Sequence, residues 1–255
     1  MFKTGNTVRK MGASPHIPGR DWMDGFFDGT LDYNSYFNDN LVWLKTCDAV
    51  MLCDGYQNSK GAMREKEIAE SCGMPIFDNL IDLKAYINRP KILAIIGESG
   101  SGKSLISDYI EQHYNINLVK SYTTRPQRPE NDDGHTFISN EEFNFFTKDE
   151  MVAYTEWQGN RYCCLHNDIK DANTYVIDES GLLMLKALYS DRYKVKSLRV
   201  YRDKLKRVSD VGLDRVGRDE GKFNLYPRDF DYIVHNDGSL HDLFDRVDLI
   251  VNDFF

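Results

Sequence analysis

A glycine-rich loop after a short aliphatic run constrains the fold of this 255-residue chain more than any other feature. Residues 92–96 read Ile-Leu-Ala-Ile-Ile, and residues 97–104 read Gly-Glu-Ser-Gly-Ser-Gly-Lys-Ser, which satisfies the pattern G-x-x-x-x-G-K-[ST]. Apolar residues with helical spacing follow at Leu105, Ile106 and Ile110. The sequence therefore predicts a buried strand, a phosphate-binding loop and a helix; the alternative is a glycine-rich turn before a core helix.

The residue types in this loop match the chemistry of a nucleoside triphosphate site. Glycines let backbone N–H groups surround phosphate oxygens, and the start of the helix adds partial positive charge. Lys103 would reach the β- and γ-phosphates, and the Ser104 hydroxyl would hold Mg²⁺. The predicted donor-binding residues of the loop are Gly97, Ser99, Gly100, Ser101, Gly102, Lys103 and Ser104.

Composition excludes several classes of protein. A hydrophobic content of 41% and a charged content of 28% are globular values, and residues 1–20 contain no apolar stretch of signal-peptide length. The longest aliphatic run is far shorter than the ~20 residues of a membrane span. With 32 basic and 40 acidic residues the net charge is −8, which argues against a protein that coats nucleic acid. We expect no membrane association and no direct nucleic-acid binding.

The five cysteines point to a reducing compartment. Their number is odd and no C-x-x-C pair occurs, so a disulfide framework and a zinc site are both disfavoured. We expect ordinary thiols and a cytoplasmic location.

The sequence changes character at Arg89-Pro90, where a helix-like segment meets a proline and then the aliphatic run. Two domains are predicted, 1–89 and 90–255. In the first, strands near 48–53 and 75–77 alternate with helices, whereas residues 1–33 look loop-rich because of their glycines. In the second, strands at 91–96, 118–123 and 175–178 alternate with helices at 102–114, 141–146 and 182–189, which predicts a mostly parallel sheet.

Two arginines stand three apart in a proline-stiffened loop after residue 120. Arg125 and Arg128 lie in Ser121-Tyr-Thr-Thr-Arg-Pro-Gln-Arg-Pro, and Gly134-His-Thr-Phe follows. Planar guanidinium groups bind phosphate through paired hydrogen bonds, so a second phosphate site is predicted. The alternative is a solvated turn.

The order of these motifs, together with four later ones, resembles guanylate kinase over residues 91–255. The later motifs are Glu156-Trp157 with Gly159-Asn-Arg-Tyr, Val176-Ile-Asp178, Arg215-Val-Gly-Arg218-Asp219 and Ile233-Val-His-Asn236-Asp. The resemblance implies ATP and Mg²⁺ as cofactors and a nucleoside monophosphate as acceptor. It implies that Arg125, Arg128 and Tyr162 bind the acceptor phosphate, with Ser121 in the same subsite. It implies a guanine contact for Glu156, a metal and acceptor contact for Asp178, an adenine contact for Asn236, and lid roles for Arg215 and Arg218.

Several positions depart from the family pattern. His135 stands where a phosphate-binding tyrosine is usual, so it is either a phosphate contact or a solvated histidine. Cys164, after Cys163, stands where a serine helps to read the guanine carbonyl, and a thiol is a weak donor. Ser180 replaces the second member of an acidic pair, and the segment between Arg207 and Tyr226 is short for a lid. These departures leave the identity of the acceptor base undetermined, and a different or modified deoxynucleotide is an alternative to guanylate.

The first part of the chain carries a second resemblance, over about residues 7–78. Cys47-Asp48, Ser59-x-Gly61-Ala-x-x-Glu65 and Ala69-x-x-x-Gly73 are similar to the nucleoside 2-deoxyribosyltransferase-like family. The resemblance implies that Glu65 occupies the position of the nucleophile that attacks the anomeric carbon; Glu65 and Glu67 as solvated surface charges are the alternative. Met1 lies at about the family's first helix, so we expect the usual first strand to be lacking, and a homodimer would be one way to replace it.

Together these features predict an α/β protein: a P-loop kinase domain with a mostly parallel sheet, preceded by a small Rossmann-like α/β domain. The favoured activity is ATP-dependent phosphorylation of a (deoxy)nucleoside monophosphate, in nucleotide salvage or a phage supply of DNA precursors. One alternative is a protein- or nucleotide-binding scaffold, which the presence of Lys103 and Ser104 disfavours. For the first domain a nucleotide-binding or oligomerisation role is favoured, and deoxyribosyl transfer or N-glycosidic cleavage is the alternative.

Overall fold

The chain forms two compact units, Met1–Arg89 and Pro90–Phe255. The structure is a computed structural model that describes residues 1–18, 29, 32–128, 134–217, 219 and 223–255. Within those ranges, no helix has both the length and the apolar character needed to cross a bilayer.

The N-terminal unit is built from helices around one short strand pair. Strand β1 (Val50–Met51) lies parallel to β2 (Ile76–Phe77), with Val50 opposite Ile76. The helices are α1 (Phe2–Lys10), α2 (Tyr33–Leu44), α3 (Lys60–Ser71) and α4 (Leu80–Ile87), with a 3₁₀ turn at Tyr56–Asn58. Each of the last three helices begins after a side-chain cap, supplied by Asp32, Ser59 and Asn79.

Helix α1 corrects the expectation of a loop-rich segment over residues 2–10, whereas residues 19–28 and 30–31 of the predicted range 1–33 lie outside the described residues. Gly5, which suggested a loop, lies in this helix instead. A Cβ at Gly5 would lie 2.3 Å from the Ile17 side chain, so the glycine allows a close approach that a larger residue would prevent. Here tertiary packing overrides the weak helix propensity of glycine.

The C-terminal unit is organised around a five-stranded parallel sheet in the order β11-β10-β3-β9-β4. The predicted α/β class with a mostly parallel sheet is confirmed. The strands are β3 (Lys91–Gly97), β4 (Asn117–Val119), β9 (Ala172–Val176), β10 (Lys194–Tyr201) and β11 (Tyr232–His235). In the described part of this unit six helices accompany them: α5 (Lys103–Tyr114), α6 (Asn140–Phe143), α7 (Glu179–Leu188), α8 (Lys204–Val211), α9 (Leu213–Gly217) and α10 (Leu240–Phe254), with 3₁₀ turns at His166–Asp168 and Pro227–Asp229.

Strand β3 is buried on both faces, as its unbroken aliphatic run predicts. Leu93 and Ile95 pack with Ile106 of α5 and with apolar residues of α10. Ala94 and Ile96 pack on the opposite face with Leu182 of α7. The packing on both faces of β3 therefore fixes the point at which the loop after Gly97 begins.

A second, four-stranded sheet has the order β6-β5-β8-β7. Its strands are β5 (Ser121–Thr123), β6 (His135–Phe137), β7 (Met151–Trp157) and β8 (Asn160–Leu165). Strands β5 and β6 are parallel, whereas β8 runs antiparallel to both β5 and β7. The single extended segment predicted over 118–123 is in fact two strands in two sheets, because β4 pairs with β9 and β5 pairs with β6 and β8.

Candidate functional site

The phosphate loop joins the carboxyl end of β3 to the start of α5, and close packing explains two of its glycines. A Cβ at Gly97 would lie 2.7 Å from the Val200 carbonyl oxygen on the neighbouring strand. Gly102 has a φ of +102°, and a Cβ there would lie 2.3 Å from the Asn236 amide nitrogen. Because both positions exclude a side chain, the loop backbone stays close to the strand edge and to Asn236.

Lys103 is the charged group at the centre of this loop. Its ammonium donates to the carbonyl oxygens of Gly97 (2.7 Å) and Glu98 (3.0 Å). Burial lowers the Lys103 pKa to about 8; Asp219 and Glu98 act against that shift, and Arg215 and Arg199 add to it. Two carboxylates and two guanidinium groups therefore lie close enough to Lys103 to affect its pKa.

An acidic side chain occupies the nitrogen-lined face of the loop. The backbone N–H of Ser99 donates to Asp219 Oδ2 at 2.5 Å. A carboxylate oxygen bound to a loop N–H is a chemical stand-in for a phosphate oxygen. One N–H of the predicted phosphate loop therefore binds an anionic oxygen in this structure, and the Asp219 side chain supplies that oxygen. Sequence reasoning missed Asp219, although it stands directly after Arg218.

Asn236 supports the loop from the side. It is buried, and its Nδ2 donates to the Ser101 carbonyl oxygen at 2.9 Å. The expectation for this residue was a contact with adenine. In the structure its amide braces the phosphate loop beside Gly102.

The structure describes only one of the two predicted lid arginines. Arg215 lies in α9, half-buried, and its Nε has no hydrogen-bond partner within the described part of the chain. Its positive charge contributes to lowering the Lys103 pKa, so it lies near the phosphate loop. Arg218 lies outside the described residues.

A buried charge cluster beside the loop was not anticipated from the sequence. Glu98 forms ion pairs with two buried arginines, Arg199 of β10 (3.8 Å) and Arg207 of α8 (3.5 Å). Glu179 was also not anticipated. It is buried, and its Oε2 accepts hydrogen bonds from the backbone N–H groups of Asn224 and Leu225. A signal was available for Arg199, since a charged residue within the apolar run of a central strand requires a partner.

The second predicted phosphate site lies on the four-stranded sheet. Ser121 stands opposite His135, and Thr123 stands opposite Tyr162. The His135 and Tyr162 rings contact each other edge to face, with centroids 5.9 Å apart. The Arg125 guanidinium lies 5.1 Å from the Phe137 ring centre. The structure thus brings Arg125, His135 and Tyr162 to neighbouring positions, and Arg128 is half-buried three residues beyond Arg125.

Ser121 and Cys164 are buried more deeply than the other predicted acceptor residues. The Ser121 hydroxyl lies 2.9 Å from the Tyr175 hydroxyl and is hydrogen-bonded to it. Cys164 is fully buried against Val152 and Tyr175, and burial raises the pKa of its thiol to about 12. In this conformation the Cys164 thiol is protonated at neutral pH and presents no surface to a ligand.

Glu156 remains accessible near the end of β7. It stands opposite Arg161 on β8 and accepts a hydrogen bond from the Tyr154 hydroxyl. A carboxylate that is exposed and oriented by a tyrosine can accept hydrogen bonds from the edge of a base.

The two predicted metal ligands are both exposed. Ser104 lies at the start of α5, and Asp178 caps α7 by accepting the Gly181 N–H at 2.7 Å. In the residues that the structure describes, no group of three or more His, Cys, Asp or Glu side chains is arranged to hold a metal ion. One hydroxyl and one carboxylate do suit Mg²⁺, which takes few protein ligands and completes its shell with phosphate oxygens and water.

Two family models match the chain. Residues 3–78 match the family described as "Domain of unknown function (DUF4406)", and residues 89–179 match "Guanylate kinase".

Two relatives identified by sequence, both guanylate kinases, support the second match. The guanylate kinase of Thermotoga maritima is 29% identical over an alignment of 180 residues that covers 64% of this chain and 84% of that protein. The guanylate kinase of Acinetobacter baylyi is 28% identical over an alignment of 172 residues that covers 60% of this chain and 83% of that protein. A crystal structure of guanylate kinase from Anaplasma phagocytophilum aligns at 18% identity with a TM-score of 0.47, over 65% of this chain and 86% of that one.

The predicted resemblance of the C-terminal part is therefore confirmed. The N-terminal match is consistent with the predicted deoxyribosyltransferase-like segment.

Proposed function

Because the C-terminal part of the chain carries a guanylate kinase-family domain, we propose that it catalyses ATP-dependent phosphorylation of a (deoxy)nucleoside monophosphate. The observation that supports this most directly is the bond between the Ser99 N–H and the Asp219 carboxylate beside Lys103. A loop that binds an anionic oxygen with its backbone N–H, next to a desolvated ammonium, suits the phosphates of a nucleoside triphosphate.

The donor side of this site neutralises charge. Bound ATP would supply the phosphoryl group, and bound Mg²⁺ would help to neutralise its phosphate charge. Lys103 would turn from the Gly97 and Glu98 carbonyl oxygens toward the β- and γ-phosphates, and Ser104 with Asp178 would hold the metal. Arg215, together with Arg218, would neutralise the charge that develops on the transferred group.

The acceptor side positions a second phosphate in line with the first. Arg125 and Arg128 offer planar guanidinium forks, while the adjacent His135 and Tyr162 rings offer further donors. Glu156 is proposed to accept hydrogen bonds from the base, and Ser121 to support the acceptor pocket. The buried Cys164 would be a poor reader of a base carbonyl, so the proposal extends to acceptors other than guanylate.

A coupled ADP-release assay tests the proposal. The intact protein is screened with GMP, dGMP, dTMP, dUMP, dCMP and AMP, beside Lys103→Ala and beside Lys148→Ala, which changes an exposed lysine of the same unit. Turnover with at least one acceptor, lost in Lys103→Ala and kept in Lys148→Ala, is expected. Absence of Lys103-dependent turnover with every acceptor would overturn the kinase proposal and favour the scaffold alternative.

A second activity is proposed for the N-terminal unit on the basis of Glu65. This carboxyl is half-buried on α3, and burial raises its pKa while the nearby His16 charge lowers it. His16 in turn lies 3.0 Å from Asn40 Oδ1. A partly desolvated carboxyl near a histidine suits glycosyl chemistry better than a solvated surface charge does.

Release of free base from deoxynucleosides tests this second activity. Glu67→Gln is the matched control, because Glu67 lies on the same helix but is exposed. Base release that disappears in Glu65→Gln and persists in Glu67→Gln is expected. No base release by the intact protein, or equal rates in the two variants, would contradict it.

A further inference from the structure

Arg199 lies where the central sheet meets the phosphate loop. It stands on β10 opposite Ile96, and the next residue, Val200, is opposite Gly97. Its side chain is 4% exposed. Leu198 and Val200 belong to the apolar cluster on one face of the sheet, so the alternation of the strand directs Arg199 to the other face, at the carboxyl edge. Parallel α/β sheets bind their ligands at that edge.

The hydrogen-bonding capacity of Arg199 is mostly unused. Its Nη2 lies 3.8 Å from Glu98 Oε2, while Nε and Nη1 are buried and have no hydrogen-bond partner in the described ranges. The guanidinium instead faces the rings of Phe223 (4.1 Å) and Tyr201 (4.9 Å). Aromatic rings stabilise the positive charge, but they accept no hydrogen bond from the N–H groups that lie in the plane of the guanidinium.

The same carboxylate also serves Arg207. Arg207 Nη2 lies 3.5 Å from Glu98 Oε1, and its Nη1 is likewise buried without a partner among the described residues. Two guanidinium groups thus share one carboxylate. With Lys103 and Arg215 added, four cations near the loop face two anions, Glu98 and Asp219. Among the residues that the structure describes, these groups carry two more positive than negative charges.

Buried guanidinium N–H groups without acceptors are unfavourable, so this arrangement is suited to binding a polyanion. We infer that Arg199 binds the terminal phosphate of the donor nucleotide and that Glu98 holds its guanidinium while the donor is absent. The inference rests on the donor half of the proposed function. Arg199 belongs with the β- and γ-phosphates because it pairs with Glu98 of the phosphate loop, and Lys103, which reaches those phosphates in this motif, donates to the carbonyl oxygen of the same residue.

Binding without an acceptor tests this role. Calorimetry measures the affinity of the intact protein for the β,γ-imido analogue of ATP and for ADP, both with Mg²⁺. Arg199→Met keeps most of the side-chain volume, and Arg192→Met, at an exposed arginine near the start of β10, is the control. Arg199→Met should lose about 10- to 100-fold in affinity for the triphosphate and much less for ADP, because one charge-assisted hydrogen-bonding group is removed.

A second variant keeps the inference testable if Arg199→Met does not fold. Glu98→Gln removes the competing carboxylate charge, so the ratio of triphosphate to ADP affinity should rise. Equal losses for both nucleotides in Arg199→Met, or an unchanged or smaller ratio in Glu98→Gln, would make Arg199 a structural ion-pair partner and overturn the inference.

These results are separable from those of the kinase screen. Failure to phosphorylate any acceptor together with Arg199-dependent discrimination would refute the proposed function alone. Turnover with no such discrimination would refute this inference alone.

Discussion

The two units differ in how firmly each can hold a polar group. The C-terminal unit has a five-stranded parallel sheet with apolar clusters on both faces, whereas the sheet described in the N-terminal unit is a pair of two-residue strands. All buried charged side chains among the described residues, namely Glu179, Arg199 and Arg207, lie in the C-terminal unit. A buried charge requires partners in fixed positions, and fixed positions require a packed sheet. The C-terminal unit is therefore the better suited of the two to the proposed phosphate chemistry.

The largest expected effect is a separation of activities between the units. Lys103→Ala should lower kcat/KM for phosphoryl transfer by at least about 100-fold, because one preorganised cation at the developing charge is lost. Glu65→Gln should leave that value unchanged, since its carboxyl belongs to the other unit. The coupled ADP-release assay measures both variants on the same acceptor. A comparable fall in Glu65→Gln would break the comparison, because the units would then act as one catalytic centre.

Core substitutions test the difference in packing directly. Leu93→Ala removes a fully buried side chain from β3, and Leu83→Ala removes one that is 5% exposed from α4. We expect a loss of about 4–5 kcal/mol for Leu93→Ala and about 2–3 kcal/mol for Leu83→Ala, because the looser surroundings can relax into the smaller cavity. Hydrogen exchange measured by mass spectrometry gives the opening free energy of each unit separately, which a single unfolding midpoint would not.

Leu249→Ala is the control for these substitutions, because Leu249 is an exposed leucine on α10 and should change stability little. Equal losses in the two buried variants would mean that the N-terminal unit is packed as firmly as the C-terminal one.

Features that depend on local sequence were predicted well. The strand over 91–96 was placed within one residue of β3, and the helix over 102–114 within one residue of α5. An aliphatic run, a glycine loop and an amphipathic helix are each specified by neighbouring residues, so periodicity and turn chemistry suffice. The helix over residues 2–10 was missed because Gly5 is tolerated only through its contact with Ile17.

Features that depend on residues distant in sequence were predicted less well. Asp219 reaches Ser99 across 120 residues, and Arg199 reaches Glu98 across 101. No local pattern marks such pairs. Similarly, the hydrogen bond that turns Asn236 toward the phosphate loop depends on how β11 is placed in the sheet. The sequence can indicate which residue types bind phosphate, but the balance of charge around the loop follows only from the packed strands.

The Asp219 contact predicts a smaller effect, within the C-terminal unit alone. Asp219→Asn removes the charge that competes with phosphate for the Ser99 N–H, so the affinity for the β,γ-imido analogue of ATP should rise by about tenfold. Asp214→Asn, at an exposed aspartate of α9, is the matched control. Calorimetry without an acceptor measures both. A lower affinity in Asp219→Asn would mean that the carboxylate assists the donor instead of standing in for it.

The smallest expected effect concerns pH and distinguishes the perturbed groups of the two units. Burial lowers the pKa of Lys103 to about 8 and raises the pKa of Glu65, so it shifts the two groups in opposite directions. Below pH 8 the free protein keeps the Lys103 proton that attracts phosphate; above it the proton is lost. Triphosphate affinity should therefore fall about threefold between about pH 7.5 and 8.5.

Lys103→Arg provides the control for this pH dependence, because a guanidinium stays protonated throughout that range. Its affinity should be flat where that of the original protein falls. The fall should begin at lower pH in Asp219→Asn, because the Asp219 carboxylate raises the Lys103 pKa against the effect of burial. A decline that persists unchanged in Lys103→Arg would assign the titration to another group and remove Lys103 as the reason that donor binding depends on pH.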